Sequence, residues 1–229
     1  MPVKRTRRVR RTRRSTGRRR TFRKRKMAIQ RPIGVRAPST YTTTLVYYER
    51  ASLTSTTGAF GTFAYNANSL YDPTTAVGGH QPMYYDQLTA LYNKYIVNKS
   101  SFTYSFAPYS TTGGSTATAF CRVDDNASLG GGSVMYTQLE TRGTKHVFCP
   151  IYEDNQVYTR KLTATYDRKR YFKNFENSNL VGENSDPSKL IYFLVGVQSD
   201  DLTTTTTFMG WVKITYNCTF YSLKDISSS

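Results

Sequence analysis

The sequence predicts an all-β body preceded by a disordered basic arm, and three observations carry that prediction. The first 36 residues hold 17 of the chain's 32 Lys and Arg and no Asp or Glu, so the remaining 15 bases match the 15 acids. The composition changes at Ala37 to Thr, Tyr, Phe, Val and Ser, which is strand chemistry. From there on, period-two runs recur between turn residues, and helical periodicity is confined to short stretches.

The arm spans residues 1–36. Its charge comes from Lys4, Arg5, Arg7, Arg8, Arg10, Arg11, Arg13, Arg14, Arg18, Arg19, Arg20, Arg23, Lys24, Arg25, Lys26, Arg31 and Arg36. Val3, Val9, Phe22, Met27, Ile29, Ile33 and Val35 cannot bury enough surface to offset ordering entropy and self-repulsion. Arginine predominates, which suits planar, bidentate contact with phosphate. A polyanion partner is therefore expected for the arm alone, with binding that is salt-sensitive and largely blind to sequence. Basic runs also serve as nuclear-localisation signals, and the two roles are compatible. No apolar h-region follows the basic residues, as a secretory leader would require, and no amphipathic period marks a transit peptide.

Pro32 and Pro38 bracket Gly34 in a linker, and the body runs from Ala37 to Ser229. It is long enough for one well-filled core and holds no apolar run that would span a membrane. Strands are predicted at 41–53, 59–65, 95–108 and 115–123, the third alternating Phe102, Tyr104 and Phe106 with Thr103 and Ser105. A short one at 145–149 and another at 156–166 follow. The run 190–198 is continuously apolar, as in a strand buried on both faces. In the last, 208–221, the residues Phe208, Val212, Ile214, Tyr216, Cys218 and Phe220 share one face, with Lys213, Thr215, Asn217 and Thr219 opposite. The helical exception is Tyr84 to Tyr95, where Tyr84, Leu88, Leu91, Tyr92 and Tyr95 form an apolar stripe after Pro82. That stripe reads as a plug packed on a sheet. Asp167 to Glu176 carries a weaker helical pattern. Eight strands with long connections at 66–83, 124–144 and 167–188, and shorter ones between, predict a jelly roll, a two-sheet Greek-key sandwich. An immunoglobulin-like sandwich would need a Cys…Trp…Cys spacing that is missing.

Few residues suggest chemistry. His80 and His146 lie in no nucleophile-elbow pattern and there is no Walker lysine motif, so structural, hydrogen-bonded histidines are expected. Cys121, Cys149 and Cys218 lack C-x-x-C spacing and read as buried free thiols, with no metal or cofactor implied. Asp124-Asp125, Glu153-Asp154 and Asp200-Asp201 read as solvated loop tips rather than calcium ligands. The run Arg168, Lys169, Arg170, Tyr171, Phe172, Lys173 interleaves bases with aromatics. It suits stacking on unpaired nucleotides and a subunit interface equally.

The stretch Gly79-His80-Gln81-Pro82-Met83-Tyr84-Tyr85-Asp86-Gln87-Leu88, then Leu91-Tyr92-Asn93-Lys94-Tyr95, Val97 and Ser100, resembles the segment joining strands C and D in capsid proteins of circoviruses and related circular Rep-encoding single-stranded DNA viruses. Only 79–100 is a specific pattern; length, strand number and basic start agree with it. The resemblance implies strands B to I in chain order and an icosahedral (T=1) shell of sixty identical jelly rolls. It further implies arms touching a single-stranded DNA genome, passage through host nuclear import, and no catalysis. It would gather the BC, DE, FG and HI loops at fivefold axes and use the long CD, EF and GH loops for the other contacts. A small RNA virus capsid, a cellular nucleic-acid binder and an enzyme with a basic tail remain as alternatives.

Overall fold

The computed structural model describes residues 38–75, 79–111 (108–111 as backbone), 116–129, 135–149, 159–172, 180–182 and 184–224. The basic residues 1–36, the pair Glu153-Asp154, and Lys173 with the Asn174 and Phe175 that follow it lie outside the described residues.

Among the described residues nine strands form two antiparallel sheets. They are β1 (Thr40–Ser55), β2 (Gly61–Asn66), β3 (Tyr92–Thr111), β4 (Ala117–Asp124), β5 (Lys145–Cys149), β6 (Arg160–Asp167), β7 (Val181–Gly182), β8 (Tyr192–Ser199) and β9 (Thr206–Leu223). The first sheet runs β1-β9-β3-β6, with β7 adding a two-residue pairing on β3; the second runs β2-β8-β4-β5. With the eight long strands lettered B to I in chain order, the sheets read B-I-D-G and C-H-E-F, the strand order of a jelly roll. All eight expected strands are present, with ends that shift by a few residues; 145–149 is matched at both ends.

Alternation sets the faces of the first sheet. In β1, Leu45, Tyr47, Ala51 and Leu53 point inward, and in β9 the six residues of the apolar phase are all buried. β1 pairs with β9 over its whole length, from Thr40 opposite Tyr221 to Ser55 opposite Thr206. β3 pairs with β9 along the other edge, with register shifts at Val97/Lys99 and Pro108/Ser110. Such bulges let a strand of 20 residues follow the sheet's twist. The two sheets meet through rings: Phe102 of β3 stacks on Phe193 of β8 at 5.2 Å and touches Tyr65 of β2 at 5.7 Å. Each such pair contributes about 0.5–1.5 kcal/mol beyond the area it buries.

The central strand β8 of the second sheet is covered on both sides, while Phe148 of the edge strand β5 stays 59% exposed. Residues 193–199 of β8 are all buried, as the apolar run foretold. On the outer side Phe120 of β4 lies over Gly196, where an added Cβ would stand 2.4 Å from the ring. Phe60 packs edge-on against Phe120. Arg122, buried on the same side, donates to Asp124 at 2.7 Å and to Gln138 at 2.6 Å. Gln138 belongs to α2 (Met135–Glu140), a helix inside what the sequence presents only as a long loop.

The helix expected over 84–95 is shorter and turned. α1 spans Tyr85–Leu91, and Tyr92 already begins β3. Tyr84 sits outside it with φ 71°, a left-handed conformation that no helix interior accommodates. Tyr85 and Thr89 are the buried pair; Leu88 is partly buried, while Tyr84 and Leu91 are 62% and 39% exposed. The segment does plug the end of the sandwich, through a face displaced by one residue from the expected stripe. Tyr92 and Tyr95 are core residues of the strand.

Candidate nucleic-acid interface

Among the described residues, the candidate basic run is reduced to Arg168–Phe172. α3 (Arg168–Tyr171) follows β6 directly, and Asp167 caps it by accepting from the Lys169 N–H at 3.1 Å. That bond, with Lys99 Nζ at 3.2 Å, holds the Asp167 carboxyl below its usual range. The weak helical pattern at 167–176 therefore yields a single turn over its described part. Phe172 packs against the core, and Tyr171, partly exposed, stacks on Tyr166 at 5.5 Å. Burial raises the Tyr171 hydroxyl above its ordinary value, against the pull of Arg170. Phe172 thus anchors the turn on the core, while Tyr171 stays 40% exposed. Lys169 and Arg170 are the cations the turn offers to solvent.

Arg170 lines an open groove of about 410 Å³ on the outer side of the first sheet. Lys99 flanks it, and Thr44, Ser101, Thr165 and Thr215 supply hydroxyls. The groove thus holds Arg170, the Lys99–Asp167 ion pair and a floor of hydroxyls, groups of the kind that can hydrogen-bond phosphate oxygens.

The two described acidic pairs bond to neighbouring residues of the chain. Asp200 accepts from the Thr118 hydroxyl at 2.7 Å. Asp201 accepts from the Thr204 hydroxyl, from Ser199 at 2.8 Å and from the Thr203 N–H at 3.0 Å, which lowers its pKa. Asp124 holds Arg122, and Asp125 lies 3.8 Å from Lys189. The histidines differ from expectation: both are exposed and make ring contacts, His80 stacking on Tyr47 at 4.6 Å and His146 meeting Phe148 edge-on. The three cysteines are buried, and burial pushes each thiol up to about 12.

The sequence reading missed Lys99, Tyr48 and Trp211. A signal existed for the last two: each is a large ring in the polar phase of an otherwise regular alternation. Trp211 shares the phase of Lys213, and Tyr48 that of Arg50.

No family model and no curated protein matches the sequence. Among solved structures the chain is similar to the giant freshwater prawn Macrobrachium rosenbergii nodavirus in its semi-empty VLP, at 10% identity over 85% of this chain and 100% of that one, with a TM-score of 0.44. It is also similar to Cocksfoot mottle virus, at 10% identity over 81% and 96%, TM-score 0.46. The 60-mer BFDV capsid protein is similar at 16% identity over 83% and 97%, TM-score 0.41. These likenesses are distant, and the jelly-roll assignment rests on the strand order itself.

Proposed function

We propose that this chain is a viral coat protein. It closes into an icosahedral shell and packages single-stranded DNA through its Arg-rich residues 1–36. One observation carries the reading: the whole net charge of +17 resides in those residues, while the jelly-roll body is balanced. A neutral body can pack against copies of itself without self-repulsion, and a polybasic arm neutralises phosphates without reading bases. The resemblance at 79–100 supports DNA over RNA and a shell of sixty copies. The same basic run suits recognition by nuclear import, which such a genome's assembly would call upon. The role is structural, and virion and host nucleus are its places.

Sedimentation and electron microscopy of the full-length protein with single-stranded DNA test this. Large closed particles containing nucleic acid are expected. A monomer or dimer at every salt concentration and pH would overturn it.

A further inference from the structure

The two sheets differ in what covers their outer sides. Phe60, Phe120 and the Arg122–Gln138 bond close over the second sheet. Among the described residues the first sheet has nothing comparable on its outer side, and its strand registers show what is displayed there. One row across three strands reads Arg50, Trp211, Ser105; the next reads Tyr48, Lys213, Thr103. Lys161 and Lys99 extend the face onto β6 and β3, and Lys145 reaches Thr163 at 3.3 Å. Trp211 is 59% exposed and Tyr48 50%. Lys213 Nζ lies 5.4 Å above the Tyr48 ring, so cation and ring already form one unit. The carboxylate of this face is Asp167, bridged to Lys99. Glu49, next along β1, is turned to the other side and accepts from the Tyr47 hydroxyl at 2.8 Å.

We infer that this outer face is a second nucleic-acid surface, which takes unpaired single-stranded nucleic acid on the Tyr48 and Trp211 rings and holds its backbone with Lys213, Arg50 and the groove between Lys99 and Arg170. The choice of partner rests on the packaging function proposed above. Charge complementarity argues for it. The body as a whole is balanced, yet among the described residues this face gathers six cations, Arg50, Lys99, Lys145, Lys161, Arg170 and Lys213, around the paired Asp167, a local excess that a polyanion complements. A second copy presenting the same face across a twofold axis would set these cations against their own kind. Tyr48 and Trp211 lie on neighbouring strands and are diagonal in register, so their backbones stand about 7–8 Å apart. Rings on an open sheet stack on bases that are not already paired, whereas a duplex would offer them only its backbone.

Trp211 is the chain's single tryptophan, so its fluorescence reports on this face in the intact protein. The test titrates full-length protein with a labelled oligo(dT), reading Trp211 emission and oligonucleotide anisotropy together, and repeats it with a duplex. Saturable quenching by oligo(dT) and little by duplex is expected. Tyr48→Ala should weaken the quenching titration about tenfold. Lys213→Gln with Lys161→Gln should reduce its salt slope by about one per cation, with unchanged circular dichroism. A rise in anisotropy with Trp211 emission unmoved overturns the inference and leaves packaging by the arm standing. No rise in anisotropy sinks both. Emission that changes with protein concentration before nucleic acid is added marks the face as a contact between copies, and overturns the inference as well.

Discussion

The hydroxyl of Tyr95 accepts a hydrogen bond from the backbone N–H of Leu70 at 3.2 Å, fastening β3 to the chain that follows β2. The same oxygen accepts from Tyr71 N–H at 3.3 Å, donates to the Ser185 carbonyl at 3.2 Å and lies 3.3 Å from Ser69 Oγ. One buried phenol thus ties two long connections to the core. Tyr95→Phe keeps the ring packing against Tyr85 and Phe220 and removes only the oxygen. It leaves the buried Leu70 N–H and the part-buried Tyr71 N–H without this acceptor, the former at about 1–3 kcal/mol. The expected result is a lower thermal midpoint and faster amide exchange at Leu70 and Tyr71. Unchanged exchange at both would mean that water replaces the phenol.

Leu91→Ala should do little, because Leu91 is 39% exposed at the end of α1; less than about 1 kcal/mol is expected. Tyr85→Ala, from a site that is 1% exposed, should cost about 3–5 kcal/mol, as for other large rings removed from cores. Denaturant melts of the two variants, side by side, check the placement of the helix. Equal losses would show that the stripe through Leu91 does pack inward.

These two residues show where the sequence was informative and where it was not. Strand chemistry is local, so alternation in 41–53, 95–108 and 208–221 was sufficient to place β1, β3 and β9. Tyr84–Tyr95 misleads because two periodicities meet there: Tyr92 and Tyr95 continue a helical stripe on paper while burying as members of β3. The left-handed φ of Tyr84, which starts the helix one residue later, has no signature in a Tyr-Tyr pair. α2 escaped because six residues give a weak pattern, and Gln138 is buried only because Arg122 of β4 meets it. In the same way Trp211 stands out within β9, but its place beside Arg50 and diagonal to Tyr48 depends on the β1–β9 register.

Alkali should unfold the body. Cys121, Cys149 and Cys218 have thiols pushed by burial from 9.0 to about 12, and burial raises the phenols of Tyr104 and Tyr216 in the same direction. Above about pH 9 the unfolded chain binds fewer protons than the folded one, so stability declines as pH rises from 9 towards 12 and is fully retained below 9. Urea melts between pH 7 and 11 should show a flat midpoint that then falls. A thiol reagent at pH 8 should modify these cysteines only once denaturant is added. Rapid modification of the folded protein would contradict their burial.

Removal of residues 1–36 separates packaging from folding. A chain beginning at Ala37 should keep its β spectrum and melting behaviour, because the packed residues described above all lie within 38–224. Thirty-six fully extended residues reach at most about 120–130 Å. Each phosphate they neutralise adds about −0.7 to the salt slope for single-stranded nucleic acid. The shortened chain should therefore lose most of its affinity and most of that slope, and any particles it forms should be empty. What binding remains should have a slope of only a few units and should quench Trp211, because it belongs to the outer face of the first sheet. Salt titrations of both chains against one oligonucleotide decide the matter. An undiminished slope after truncation would place the principal contact on the body, with Lys99, Arg170 and Lys213 the first residues to neutralise.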